Sequence, residues 1–248
     1  MEANVAGSAI GFRDSETGKK TTDLVTPEPG SDGFAALCRA LDRRALMYRL
    51  AKRAFDIAFA GAVCLVGLVP GAILCAAIAA DTKGSPIYSQ VRVGRNGKPF
   101  RIYKFRSMVA DADDVEKYLA PEQLAAWQLE RKVNDDPRVT KLGRAIRKLS
   151  LDELPQFVNV LLGQISVIGP RPITYDELAL FGDDAARLCS VPGGITGLWQ
   201  ASARNDATFE SGERQAIELE YVSNAGFRMD ARCFLGTFDA MFGRRSGK

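Results

Sequence analysis

Residue types able to carry out group transfer concentrate in one stretch, Ser150-Leu151-Asp152-Glu153-Leu154-Pro155-Gln156, where two adjacent carboxylates follow a basic segment bearing Lys141, Arg144, Arg147 and Lys148. Histidine is absent from the 248 residues. That excludes every mechanism needing imidazole, including Ser-His and Cys-His pairs and the commonest zinc ligand sets. Acid-base work must fall to carboxylates, Lys, Tyr or Cys. An ionised aspartate, with an ordinary pKa of about 3.9, is a competent but weak nucleophile, and an anionic phosphorus centre repels it. At about 4 Å one such charge pair costs about 4 kcal/mol at an effective dielectric of about 20. A divalent cation together with Lys and Arg groups offsets that repulsion. Without a histidine or thiolate cage, hard oxygen ligands point to Mg2+, with Mn2+ as the alternative. Phosphoryl transfer at a membrane surface is the chemistry this set suits.

The surrounding elements must hold the pair in place. Ser150 with Glu153 three residues on matches a capping box. A helix starting there would put Pro155 at its fifth position, where the ring crowds the carbonyl four residues back. The spacing instead predicts a helix from about Leu154, with Asp152 and Glu153 at its positive end, a place suited to phosphate. Phe157, Val158, Leu161 and Leu162 form its apolar face, turned either to the membrane interface or to the core. Upstream, 86–93 and 100–105 flank Gly94-Arg95-Asn96-Gly97-Lys98-Pro99, whose Asn-Gly pair predicts a β-hairpin. Its second strand delivers Lys104 and, beside it, Arg106. Residues 112–132 read as a polar helix that Asp135-Asp136-Pro137 breaks, and 140–149 as a short cationic helix. Ile168-Gly169-Pro170-Arg171-Pro172 reads as a stiff turn around one arginine. Residues 191–200 are glycine-rich but lack the P-loop lysine and any G-x-G-x-x-G register, so no nucleotide loop is claimed there. Two packing helices, about 209–223 and 227–242, end the pattern, the second carrying Asp230. The expected fold class is mainly α with a small β-hairpin (α+β).

Residues 1–33 have no apolar core and mix Gly, Ser, Thr, Pro and charge, the composition of a disordered tail. Phe34, Leu37, Cys38, Leu41, Ala45 and Tyr48 recur at helical spacing among arginines. Residues 34–50 therefore read as a basic amphipathic helix, lying on an anionic membrane surface or packed on the protein's own core. The uncharged run from Ile57 to Ala80 would reach about 36 Å as a helix, against about 30 Å of hydrocarbon. Pro70 breaks the hydrogen-bond ladder at membrane depth, and both flanks are basic, so neither side is favoured for a crossing. A re-entrant helix-break-helix hairpin over 51–82 satisfies both observations by returning both flanks to one anionic face. A proline-kinked span and a buried core helix are the alternatives. Residues 83–248 then form a globular catalytic domain on the cytoplasmic side. The 33 basic against 30 acidic residues leave +3, too little for wholesale nucleic-acid coating, and no nucleic-acid motif is recognisable. Five cysteines without C-x-x-C spacing read as reduced thiols.

In order along the chain stand Lys52-Arg53-x-Phe55-Asp56, the apolar run with Pro70, Gly84-Ser85-Pro86, Gln90-x-Arg92-x-Gly94, Lys104-Phe105-Arg106-Ser107-Met108, Asp136-Pro137-Arg138-Val139-Thr140, Leu149 to Gln156, Gly169-Pro170-Arg171-Pro172 and Pro192 to Gln200. Over about Lys52 to Phe242 this pattern resembles the bacterial sugar transferase family of monotopic phosphoglycosyl transferases, and within it the small enzymes that begin exopolysaccharide repeat units. The resemblance implies transfer of a hexose 1-phosphate, galactose or glucose, from a UDP-hexose to undecaprenyl phosphate at the bacterial inner membrane, with the catalytic domain on the cytoplasmic face. It also implies a ping-pong route: Asp152 takes the sugar phosphate, UMP leaves, and the polyprenyl phosphate collects it. By the same resemblance Glu153, with Asp152, binds Mg2+, and Lys104, Arg147 and Arg171 contact phosphate or nucleotide. Asp230 matches a late acidic site residue, and the membrane hairpin turns at Pro70. Arg106 joins the set for its place beside Lys104. Membrane lipids are partners, and the oligomeric state is left open, a homodimer included. The chain departs from the pattern in three places. Tyr221-Val222-Ser223-Asn224-Ala225-Gly226 has Ala225 where tryptophan is usual, Ser202-Ala203-Arg204 replaces Ser-Gly-Arg, and Gly236 stands where lysine is common. A catalytically silent scaffold of the same pathway, which would tolerate loss of Asp152, is the alternative.

Overall fold

Helix α2 (Leu46–Thr82) takes in the whole apolar run, Pro70 included. The computed structural model describes residues 27–130, 133–202 and 207–242, and among these α2 is the one helix long and apolar enough to cross a membrane. The expected interruption at Pro70 is not an interruption of secondary structure. The proline removes a single backbone donor, and the apolar residues on either side keep the helical conformation. Both ends of α2 pack on the same body. Near its start Arg53 donates to the carbonyls of Val160 and Leu161 at 2.6 and 2.9 Å, and Asp56 accepts from Ser166 Oγ and the Val167 N–H, both at 2.9 Å. Near its end Ile78, with Leu74 and Cys75, packs on Phe105 and Ile146. Between these anchors Leu65, Val66, Leu68 and Val69 are 67–77% exposed.

The expected tail, 1–33, lies mostly outside the described residues. Its last part is helical: Ser31 caps α1 (Asp32–Leu41) by accepting from the Phe34 N–H at 3.1 Å. The single helix expected over 34–50 is divided. Residues 42–45 leave the helical path, with Asp42 Oδ1 bound to Arg44 Nε and Oδ2 to Arg95 Nη2, each at 2.8 Å. The apolar face of α1 is taken up by the protein itself, because Phe34 and Cys38 pack with Val93, Leu188 and Cys189.

Strands β1 (Ile87–Val93) and β2 (Pro99–Phe105) form the expected antiparallel hairpin. Asn96 and Gly97, with φ of 62° and 75°, supply the left-handed turn. The polar helix expected over 112–132 is two shorter ones, α3 (Val115–Tyr118) and α4 (Pro121–Glu130), and Pro121 opens the second where its missing N–H costs nothing. Helix α5 (Lys141–Lys148) is capped by Thr140, whose hydroxyl accepts from the Gly143 N–H at 2.8 Å. After α6 (Gln156–Leu161) comes a parallel pair the sequence did not announce, β3 (Ser166–Ile168) with β4 (Gly194–Thr196). Between these strands lie α7 (Tyr175–Ala179) and α8 (Ala185–Leu188). Helices α9 (Leu198–Ser202), α10 (Glu213–Ser223) and α11 (Phe227–Phe242) complete a mainly helical fold with two small sheets. The central core joins Phe100 and Ile102 of the hairpin to Val160, Val167, Leu198 and Tyr221.

Gly143 lets α5 lie directly on the chain leaving β2, because a Cβ there would stand 1.9 Å from the Ser107 carbonyl oxygen. Gly143→Ala must push α5 outward, and the expected cost is about 1–3 kcal/mol, seen as a lower urea midpoint with an unchanged slope.

Candidate active site

Asp152 and Glu153 occupy a single 3-10 turn, Leu151–Glu153, just ahead of α6. Ser150 is left-handed (φ 53°) and its side chain caps nothing, so no capping box forms, and the helix starts two residues after the expected Leu154. Asn159 fixes α6 against the hairpin. It is fully buried, accepts from the Tyr103 N–H at 3.1 Å, and donates to the Arg101 carbonyl and Gln164 Oε1 at 2.7 and 2.6 Å. On α6, Gln156 and Asn159 point inward together with Val160, while Val158 is exposed.

Three cations from three elements converge on the turn. Lys104 lies on the face of β2 that also carries the buried Phe100 and Ile102, and its Nζ reaches Glu153 Oε1 at 3.3 Å. Arg171 follows β3, and its Nη1 lies 3.6 Å from the same oxygen. Arg147 comes from the last turn of α5, where Nε donates to Ser107 Oγ at 2.7 Å. Burial and the neighbouring Glu153 charge push the Asp152 carboxyl above its ordinary range, while Lys104 and Arg147 pull it back. Burial lowers the Lys104 ammonium, and Glu153 opposes that shift. No side chain among the described residues hydrogen-bonds Asp152. The turn therefore holds, among three cations, a carboxylate without a side-chain hydrogen bond, next to a carboxylate paired with two of them.

The glycine-rich segment serves the arginine. Gly169, Gly194 and Gly197 bring backbones together so closely that a Cβ at any of them would stand 2.5 Å or less from main-chain atoms. Gly194 N–H donates to the Pro170 carbonyl at 2.8 Å, and the Arg171 N–H is held by both carboxyl oxygens of Glu218 at 3.2 and 3.3 Å. The Arg171 guanidinium lies 5.9 Å from the Trp199 ring centroid.

Of the expected site residues, Asp152, Glu153, Lys104, Arg147 and Arg171 come together. Two do not join them. Arg106 Nε and Nη1 bind the carbonyls of Ser85 and Ala110 at 2.7 and 3.2 Å. Asp230 is engaged by Tyr48 (2.8 Å), Lys52 (2.6 Å) and Tyr221 (2.7 Å), which ties α11 and α10 to the start of α2. Sequence reasoning did not assign a role to Arg92, Glu177, Arg214 or Glu218. Arg92 pairs with Glu177 at 2.8 Å, and Arg214 lies 3.7 Å from the same carboxylate. The signal for Arg92 was present in strand alternation, which puts Gln90 and Arg92 on the inward face with Lys104. As for a metal, the described residues contain no cluster of three or more His, Cys, Asp or Glu. An adjacent carboxylate pair with one member free of side-chain hydrogen bonds does suit magnesium, which takes one or two carboxylates and completes its shell with substrate phosphate and water.

Residues 47–244 match the bacterial sugar transferase family. The chain belongs to that family. Among relatives of this bacterial sugar transferase, the exopolysaccharide production protein ExoY of Rhizobium meliloti is 40% identical over 178 residues, 71% of this chain and 78% of the relative. The undecaprenyl-phosphate galactose phosphotransferase of Salmonella typhimurium is 43% identical over 179 residues, and the UDP-galactose-lipid carrier transferase of Erwinia amylovora 41% over 180. Each of these two alignments covers 71% of this chain and 37% of the relative. One departure from the family pattern has a structural counterpart: at Gly236 a Cβ would come within 3.2 Å of Ala201 Cβ, so α11 lies close on α9. Of the second, Ser202-Ala203-Arg204, all but Ser202 lies outside the described residues.

Burial raises the Glu218 carboxyl from 4.5 to about 7. A carboxyl raised in the folded state adds stability below its unfolded pKa and loses it as pH climbs to the folded value. Glu218→Gln keeps an oxygen for the Arg171 N–H and removes the titration. Its melting temperature should therefore match wild type near pH 4.5 and exceed it above pH 7, by the equivalent of about 3 kcal/mol.

Proposed function

We propose that this chain transfers hexose 1-phosphate from a UDP-hexose, galactose or glucose, to undecaprenyl phosphate, as the first step of an exopolysaccharide repeat unit. The observation that carries this reading is the Asp152 carboxylate, which no side chain among the described residues hydrogen-bonds, beside a Glu153 gripped by Lys104 and Arg171. The names of two relatives, undecaprenyl-phosphate galactose phosphotransferase and UDP-galactose-lipid carrier transferase, agree with it.

In the first half-reaction an Asp152 oxygen bonds to the sugar-bearing phosphorus as the bond to the UMP oxygen breaks, and UMP departs with that electron pair. In the second, a phosphate oxygen of the polyprenyl carrier attacks the same phosphorus and the aspartyl bond breaks, regenerating the carboxylate. Lys104, Arg147 and Arg171 supply the fixed positive charge that lets anion approach anion. Against Asp152 and Glu153 these three leave an excess of one positive charge for the substrate. Mg2+, or Mn2+, held by Asp152 and Glu153 would add Lewis-acid polarisation of the phosphoryl oxygens. Arg106 and Asp230 act as positioning residues rather than as substrate contacts.

We place the protein in the bacterial inner membrane with its globular part on the cytoplasmic face and α2 re-entrant. Support comes from the two ends of α2 packing on one body around an exposed apolar middle, and from the outward apolar residues of α6 and α11, Leu162, Leu235 and Phe238 among them. A helix anchored at both ends on one globular body has its flanks on one side of the bilayer.

Two experiments test the reading. Detergent-purified protein with magnesium and polyprenyl phosphate should release UMP from UDP-galactose or UDP-glucose. Asp152→Asn should lower release by at least about 10³-fold without lowering the melting temperature. The wild-type rate should climb with pH through the raised Asp152 pKa, since only the carboxylate attacks. No release from either sugar by folded wild-type protein would return the scaffold alternative, and full activity in the variant would mean a different nucleophile. For topology, single cysteines at the exposed Ala45 and Lys98, in a cysteine-free background, should react with an impermeant thiol reagent from the same face of sealed vesicles; opposite faces would mean that α2 crosses.

A further inference from the structure

A cleft of about 380 Å³ opens where the α1–α2 junction meets the end of α8 and the turn between α10 and α11. Arg43, Arg44 and Arg187 line it together with Ser190, Ser223 and Ala225, and it shares no residue with the Asp152 site. Arg43 and Arg44 precede residue 47, where the family match begins. Its wall is electropositive. Asp42 is the carboxylate for Arg44 and Arg95 together, Arg187 donates to Ser223 Oγ at 2.6 Å and approaches Asp184 only at 3.4 Å, and the exposed Arg43 has no ion-pair partner among the described residues.

Apolar anchors stand beside this wall. Leu46 and Met47, directly after the arginines, are 64% and 75% exposed, and Phe227, two residues after Ala225, is 62% exposed. Phe227 packs edge-on against Tyr48 at 5.1 Å, so the two groups of anchors form one surface. Guanidinium groups beside exposed Leu, Met and Phe are arranged as at a bilayer interface, where the cations meet phosphate and the apolar chains enter the acyl region.

We infer that this cleft binds the phosphate headgroup of an anionic membrane phospholipid. The inference rests on the membrane-bound reading of α2. The chemistry recognised is a phosphate anion held by forked arginine donors. A lipid, rather than a soluble phosphate, accounts for the exposed apolar residues at the rim, and no aromatic side chain lines the cleft to receive a nucleotide base. Ala225 leaves the space open at the position where the sequence pattern leads one to expect tryptophan.

The test uses the full chain in a neutral detergent, with lipid retention read by native mass spectrometry and melting temperature read in parallel. Neither readout depends on transferase activity, so failure of the proposed reaction leaves the result interpretable. Phosphatidylglycerol should be retained and should raise the melting temperature saturably, whereas phosphatidylcholine and glycerol phosphate should not. The double variant R43Q/R187Q should lose about thirtyfold in phosphatidylglycerol affinity. Ala225→Trp, which fills the cleft and leaves every charge in place, should lose retention as well. Equal retention of phosphatidylcholine, an equal effect of glycerol phosphate, or wild-type retention by both folded variants would overturn the inference.

Discussion

Two carboxylates on consecutive residues stay ionised in a half-buried turn only if cations arrive from elsewhere, and the fold around Asp152 and Glu153 is organised to bring them. Each cation comes from a separate element held by its own device. Lys104 is aimed by strand alternation, Arg147 by the Thr140 cap and the Gly143 contact that seat α5, and Arg171 by three glycines and the Glu218 carboxylate. Asn159 then closes the arrangement by pinning the helix that follows the acidic turn to the strand that carries Lys104. The charge ring is thus a property of the tertiary structure, since no local segment contains both the acids and all their partners.

A second layer of polar contacts joins this body to α2. Against lipid an apolar helix gains little from apolar packing, because acyl chains are as apolar as leucine. The contacts that fix α2 are accordingly ionic and hydrogen-bonded at its start: Lys52 with Asp230, Asp56 with Ser166 and Val167, and Arg53 with the end of α6. Asp230 belongs to this joint. Its two oxygens collect Tyr48, Lys52 and Tyr221, and removing it would leave the Lys52 ammonium buried without its counter-ion.

Much of this was legible in the chain. The hairpin followed from Asn96-Gly97, α5 from Thr140 and its basic run, and the place of the acidic turn from the position Pro155 would otherwise have taken. What sequence could not supply were features set by partners far along the chain. Strands β3 and β4 are three residues each, too short for alternation to register, and their pairing depends on glycines whose role is backbone approach. The division of 34–50 depends on Arg95 reaching Asp42, a contact 53 residues away in sequence. The α6 face was ambiguous because Gln156 and Asn159 are buried beside Val160 while Val158 is exposed, and only the buried Asn159 decides which side faces in.

The joint between Lys52 and Asp230 spans 178 residues of sequence. During synthesis the start of α2 therefore leaves the ribosome long before the carboxylates and hydroxyls that will neutralise it exist as chain. Lys52, Arg53 and Asp56 must wait in the hydrated headgroup layer, and the apolar run can settle among acyl chains while its anchors are still solvated. Docking comes last, when α11 delivers Asp230. With α2 in the bilayer as proposed, α11 is in this sense the latch of an assembly whose first part is already inserted, and the order of translation is also the order of insertion and closure.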